Sequence, residues 1–309
     1  MKTKVIVNPM ARKGKSGQRW PETQAKLKRH LDQFDVTITR APGDAREIAR
    51  LALADGYEQF VAVGGDGTLN EVLNGLCRDG ALINPNTVIC PLPQGTANEV
   101  CRNLGMAANS DEPFRAIGEG RIQEIDLLHY HCTGLDGGDI DGHAALVVSF
   151  GSSAEISYRT NHSKFVKKLS AELSYYIVAL IVTLSYRPKP TTLRIDDLDL
   201  PKELVSTALA CNMRFLAGGM SLAPDAKPDD GQFNLIVFKD IGRLELITKP
   251  KSWLFEGRHI DHPKISVYKG TRLEVTGEPD VLVDADGETA GRLPLKVQLH
   301  PGGLRVRNL

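Results

Sequence analysis

The sequence predicts an α/β chain of two domains. The first, over 1–128, is an N-terminal parallel-sheet α/β domain. The second, over 129–309, is a C-terminal β-rich sandwich with an inserted helix, and its final strand segment is free to return to the first domain. Three observations carry this. Short apolar runs alternate with helical patterns through the first third. The pattern changes near residue 125 to strand-like runs separated by Gly, Pro, Asp and Asn clusters. Several of the early runs end in glycine-rich turns, as strands of a covered parallel sheet do.

The early runs are "KVIVNP" at 4–9, "VTIT" at 36–39, "FVAVGG" at 60–65 and "TVICPLP" at 87–93. A helical pattern follows each. Pro21 suits the first turn of a helix carrying Trp20, Leu27 and Leu31. In "GDAREIARLALA", Asp44 reads as N-cap and Glu47 completes a capping-box spacing. Leu69, Val72, Leu73 and Leu76 recur at i, i+3, i+4, i+7, as do Ala97, Val100, Cys101 and Leu104. Gly105 sits where the second of these should stop.

After "GLDGGDIDG" at 134–142, read as a turn-rich acidic loop, the runs are "AALVVSFG", "TLRID", "VSTALACN", "FNLIVF", "ISVY", "RLEVTG", "VLVDADG" and "LKVQL". They point to an antiparallel sandwich or barrel-like domain. The most apolar stretch, "LSYYIVALIVTLSY" at 173–186, falls short of the roughly 20 residues that a spanning helix needs. It reads as a buried or interfacial helix.

Composition narrows the function. Equal counts of 38 basic and 38 acidic residues give no net charge, so nothing global advertises nucleic acid. Five scattered cysteines without a CxxC fit a reducing compartment rather than a disulfide framework. The apolar run of "MKTKVIVNP" is too short for a signal peptide. A cytoplasmic chain is expected.

Ligands of open parallel sheets bind beyond the carboxyl ends of the strands, and three loops fall there. The first, "NPMARKGKSG", is basic and glycine-containing. It is no P-loop, because the earlier glycine that motif requires would fall at Pro9. The second is "GGDGTLNEV". Gly64, Gly65 and Gly67 would let the backbone approach a phosphate, and Thr68 could cap the helix or bond that phosphate. Asp66 would repel a bare phosphate; it makes sense with a divalent cation between them, or as a hydroxyl acceptor. The third, "PLPQGTANEV", places Thr96 at a turn and Glu99 in the first turn of a helix.

Two later acidic turns add candidates. In "APDAKPDDGQFNLIVF", Asp230 with neighbouring carbonyls could hold a hard cation. In "VLVDADGETAG", alternation along an extended chain would let Asp286 and Glu288 project together, a pair suited to general-base work. His259 and His262 lie three apart with no assignable third ligand.

Taken in order, "VNPMARKGKSG", "GGDGTLNEVLNGL", "LPQGTANEVCRNLG", "SFGSSAEI", "AGGMSLAPDAKPDDGQFNLIVF" and "DADGE" resemble the diacylglycerol kinase catalytic-domain family. That family includes bacterial lipid kinases and sphingosine kinases, within a superfamily shared with NAD kinases and 6-phosphofructokinases. The resemblance implies ATP-dependent transfer of the γ-phosphate to a lipid hydroxyl, with ATP held between an α/β and a β-rich domain. It assigns Asn8, Thr39, Gly64, Gly65, Asp66, Gly67, Thr68, Leu69, Asn70 and Thr96 to the nucleotide. It gives Asp66, Glu99 and Asp126 to a Mg-ATP network, and Lys227, Asp230 and Gln232 to a structural Mg2+. Glu288, with Asp286 beside it, matches the proton acceptor. Gln94 and Glu99 depart from the usual "PLGT" and "GTxND". The implied partner is a lipid at the membrane surface, met through 165–187 and the β-rich domain; a homodimer stays open. The other readings are an NAD kinase-like enzyme and a non-catalytic nucleotide- or lipid-binding module.

Overall fold

The runs at 60–65 and 87–93 are almost wholly buried, because their strands are covered on both faces, whereas "VTIT" forms an edge strand with Ile38 exposed. A computed structural model describes residues 1–163 and 171–309. The described chain divides into two units, Met1–Leu127 with His300–Leu309, and Leu128–Leu299.

In the first unit, β1 (Thr3–Val7), β2 (Asp35–Ile38), β3 (Gln59–Gly64) and β4 (Val88–Pro93) alternate with α1 (Lys15–Leu27), α2 (Asp44–Ala54), α3 (Asp66–Leu76), α4 (Glu99–Asn103) and α5 (Glu112–Glu119). The strands pair in parallel in the order β2, β1, β3, β4, with Val306 of the returning C-terminal segment beside Ile89. Val5, Val7, Val61, Val63, Cys90 and Leu92 share one face and pack with Leu27, Phe114 and Ile117. Parallel pairing delivers the ends of β1, β3 and β4 to one sheet edge, so the three loops read from the sequence become neighbours.

Three local expectations are corrected. α1 begins at Lys15, so Pro21 lies inside it rather than in its first turn. The N-cap of α2 is Gly43; the Asp44 carboxylate turns back to accept the Arg40 and Ala41 N–H groups, and Glu47 pairs with Arg50. The helix after "PLPQGT" starts only at Glu99, leaving Ala97 in the loop. Here Asn98 adopts a left-handed conformation that interrupts the pattern, with φ 51°.

The second unit begins within β5 (Arg121–Thr133), which pairs with β6 (Asp139–Ala144). Half of the expected acidic loop is therefore strand, since Asp139 to Gly142 join the ladder. Then come β7 (Val147–Gly151), α6 (Ser152–His162), α7 (Ala171–Ser185), β8 (Lys189–Ile195), β9 (Glu203–Cys211), β10 (Phe233–Lys239), α8 (Arg243–Thr248), β11 (Ile265–Gly270), β12 (Arg272–Thr276), β13 (Leu282–Ala285) and β14 (Glu288–Asn308). Antiparallel pairing runs β7–β9–β8–β12–β14–β13 and back to β7, a ladder closed on itself that leaves its members no free edge. Its interior is filled by Phe150, Phe233, Leu235, Val283, Leu295 and neighbours. All five cysteines are buried thiols. The stretch expected to meet a membrane, 165–187, falls in part outside the described residues.

Candidate active site

The first two loops of the α/β unit are tied by side chains. The Asn8 Nδ2 donates to Thr68 Oγ1 at 2.9 Å, while Asn8 Oδ1 accepts the Met10 N–H at 3.0 Å. The second and third loops meet backbone to backbone. The Gln94 N–H donates to the Gly64 carbonyl at 2.7 Å. A Cβ on Gly65 would sit 3.1 Å from the Gly95 Cα, and one on Gly95 would overlap Gly65 outright. Glycine is required at 95 by this approach, and a side chain at 65 would force the neighbouring backbone to shift. Asn98 closes the third loop, accepting the Gly95 N–H at 2.9 Å and donating to the Gly95 carbonyl at 3.0 Å.

Asp66 acts as a brace within this cradle. Its Oδ1 accepts the Val100 N–H at 3.3 Å, at the start of α4. Burial pushes its carboxyl above the usual range, opposed by backbone N–H donors from Glu99, Val100 and Asn98. Of the other nucleotide candidates, Thr39 is buried with its N–H on the Val7 carbonyl, and Thr96 is exposed at the loop tip. Leu69 turns its side chain into the core, and Asn70 accepts from the Asn74 amide. Glu99 is buried against Arg102 at 3.2 Å, and Asp126 accepts the Gly302 N–H at 2.9 Å. Asp66, Glu99 and Asp126 do not gather around one ion-sized space; among the described residues only His129, Asp141 and His143 do so. Sequence reasoning missed Asn98 and Glu71, whose carboxylate holds the Gly43 and Ala45 N–H groups at the start of α2. Neither carries a local signal beyond its residue type.

In the β-rich unit the acidic turn departs from the expected geometry. Asp286 and Gly287 form the two-residue turn between β13 and β14, with φ 53° and 88°. A turn breaks strand alternation, so Asp286 and Glu288 do not share a face. The Asp286 carboxylate instead accepts the N–H groups of Ala145, Leu146 and Val147 at 2.9, 2.8 and 3.0 Å. Glu288 is exposed, and its Oε2 accepts the Asn161 amide at 3.2 Å, which also reaches the Gly287 carbonyl.

Asp284 is the buried acid of this turn. Its Oδ1 accepts the Gly287 N–H at 3.1 Å, and this bond and the Ser157 hydroxyl favour the charged form. Burial, with smaller contributions from Glu288 and Asp286, pushes its carboxyl from about 3.8 up to about 7. The folded chain thus holds this proton more tightly than the unfolded chain. The stability it contributes is complete below about pH 4 and is lost as pH rises through about 7. Asp284→Asn is therefore expected to match wild type near pH 4 and to exceed it near pH 8, by up to about 4 kcal/mol. Thermal unfolding across that range checks this; parallel curves for the two proteins would refute it.

The remaining candidates are simple. Lys227, Asp230 and Gln232 lie exposed at one turn, where Asp230 Oδ1 accepts the Gln232 N–H at 3.2 Å. His259 is buried against the Leu222 carbonyl at 3.0 Å and His262 pairs with Glu245 at 2.8 Å, so each has a structural partner.

Residues 2–130 match the family described as the diacylglycerol kinase catalytic domain, and 146–308 match the YegS C-terminal NAD kinase beta sandwich-like domain. The chain belongs to the diacylglycerol kinase catalytic-domain family. A diacylglycerol kinase of Staphylococcus saprophyticus is 28% identical over 95% of this chain and 90% of its own length. One of Staphylococcus aureus strain MRSA252 is 27% identical over 95% and 88%. The fold is shared with a diacylglycerol kinase from Bacillus anthracis str. Sterne, at TM-score 0.70 and 19% identity over 100% of this chain and 97% of that one. An NAD kinase from Archaeoglobus fulgidus, in complex with ATP, aligns at TM-score 0.52 and 13% identity over 99% and 93%. This lipid kinase is accordingly a phosphotransferase with an alcohol acceptor, and ATP is the donor its family uses.

Proposed function

We propose that this kinase phosphorylates the free hydroxyl of a diacylglycerol-like lipid at a membrane surface. The observation that carries the nucleotide half is the approach of Gly65 to Gly95, a bare-backbone cradle that any Cβ would fill. Asn8, Gly64, Gly67, Thr68 and Thr96 then offer donors to the phosphates. Asp66 would hold Mg2+, which when bound would neutralise phosphate charge. Glu99 and Asp126 serve this arrangement by shaping α4 and the chain at Gly302. Asp230, with the carbonyls of Lys227 and Gln232, is proposed as a separate structural Mg2+ site.

In the reaction the lipid oxygen forms a bond to the γ-phosphorus, the bond from that phosphorus to the β–γ bridging oxygen breaks, and ADP leaves. Glu288 takes the hydroxyl proton. Phosphoryl transfer needs mainly positioning and charge neutralisation, which these groups supply.

The acceptor side is supported by α7. Ser174, Val178 and Val182 form its buried stripe, while Leu173, Tyr176, Leu180, Ile181 and Leu184 are exposed. Lys251 lies over the Tyr176 ring at 4.7 Å, and Leu244 of α8 is 80% exposed. No helix among the described residues is long and apolar enough to cross a membrane. An exposed apolar face beside Lys251 suits lying on an anionic lipid surface.

The test is transfer of labelled γ-phosphate to a panel of lipids in anionic vesicles. Label is expected in diacylglycerol, with Asp66→Ala at least about 100-fold slower. Leu180→Glu with Leu184→Glu is expected to raise the KM for vesicle-borne lipid and leave the KM for ATP unchanged. No labelled lipid, with label passing to NAD instead, would overturn the reading.

A further inference from the structure

We propose that the β5–β6 hairpin carries a binding site for a divalent transition metal, formed by His129, His131, Asp141 and His143. The hairpin register sets His129 opposite His143 and His131 opposite Asp141, with Tyr130 opposite Gly142 between them. Strand alternation then puts all four side chains on one face as a two-by-two block. "HYH" and "DGH" are unremarkable apart in sequence; the hairpin makes them one cluster.

The contacts are those of a ligand set. His129 Nε2 and His131 Nδ1 each lie 2.9 Å from the same Asp141 oxygen, Oδ2. The His129 and His143 rings stack with centroids 4.8 Å apart and planes within 8°. Ligand atoms of His129, Asp141 and His143 all fall within 4.8 Å of one another. A tetrahedral ion with bonds near 2.1 Å needs its ligand atoms about 3.4 Å apart, a contraction within reach of side-chain rotation. His129 and His143 are buried and so preset, while Asp141 and His131 are about half exposed and leave an entry path.

The chemistry selects the ion class. Three imidazoles and one carboxylate suit Zn2+, Ni2+ or Cu2+, whereas Mg2+ and Ca2+ require mostly oxygen donors. The site is separate from the groups given to phosphoryl transfer, none of which belongs to β5 or β6 within this unit. His131, held at 2.9 Å from Asp141 beside the three gathered ligands, supplies the fourth bond by side-chain rotation, and a tetrahedral ion so closed fits a structural role.

The experiment uses the purified full chain, stripped with a chelator and titrated with Zn2+ and, separately, Co2+. The expected result is about one tight equivalent of Zn2+, tetrahedral Co2+ visible bands, and a Tm that rises by several degrees in excess Zn2+. His129→Gln with His143→Gln is expected to weaken binding at least about 100-fold. Because that pair is buried, His131→Gln with Asp141→Asn, both half-exposed, repeats the test without risk to the core and is expected to weaken binding about 10-fold or more. Weak or substoichiometric binding overturns the site. So does Zn2+ binding unchanged in both variants, or displacement of Zn2+ by millimolar Mg2+.

Discussion

Glu288→Gln is expected to lower kcat for lipid phosphorylation by about 100- to 10,000-fold, with the KM for ATP and the Tm close to wild type. The substitution keeps size and removes the proposed base. Glu288 opens β14 just after a tight turn, exposed, with Asn161 bridging its carboxylate and the Gly287 carbonyl. That position costs the fold little if changed, so a loss of rate would report on proton transfer rather than on stability. Single-turnover measurements with labelled ATP separate the two. A variant with full kcat would remove Glu288 from the proton-acceptor role.

Asp286→Ala is expected to destabilise the β-rich unit by about 3–5 kcal/mol, lowering its Tm by roughly 10 °C. The carboxylate accepts three backbone N–H groups from consecutive residues, Ala145 to Val147, and the Asp286 N–H donates to the Val147 carbonyl at 3.0 Å. Removing it leaves three buried donors unsatisfied, each worth about 1–3 kcal/mol, less what water recovers. Alanine also tolerates φ 53° less well than aspartate does. Asp286→Asn separates these effects, since asparagine accepts the turn conformation and keeps one acceptor oxygen; its expected loss is about half as large. Equal Tm for wild type and Asp286→Ala, by calorimetry, would refute the clamp.

The two acids of "DADGE" show how far linear reasoning reaches. Acidic residues at a strand end were legible. The expectation that Asp286 and Glu288 project together used a period of two across the turn at Asp286–Gly287, where the period does not hold. The partners that define Asp286 lie about 140 positions earlier in the chain, and no local pattern announces them. Asp284, the acid whose burial matters most, drew no separate expectation from the sequence.

In the α/β unit the same division holds. Leu69, Val72, Leu73 and Leu76 were legible as a buried helix face, and α3 buries all four. The glycines of the second and third loops were legible as loop glycines. That Gly95 must be glycine because Gly65 occupies the space of its side chain was not legible, and neither was Asp66 reaching α4.

The sequence by itself determined the strand–helix alternation of the first third, the strand-rich character of the rest, and which loops hold glycine and acid. These follow from side-chain periodicity and turn stereochemistry within a few residues. Only the tertiary structure decided what each acid and imidazole faces: Asp286 the backbone of 145–147, Asp284 a buried site, His129 a carboxylate and a second imidazole. Desolvation and hydrogen bonding depend on neighbours in space, and strand pairing brings those neighbours from far along the chain.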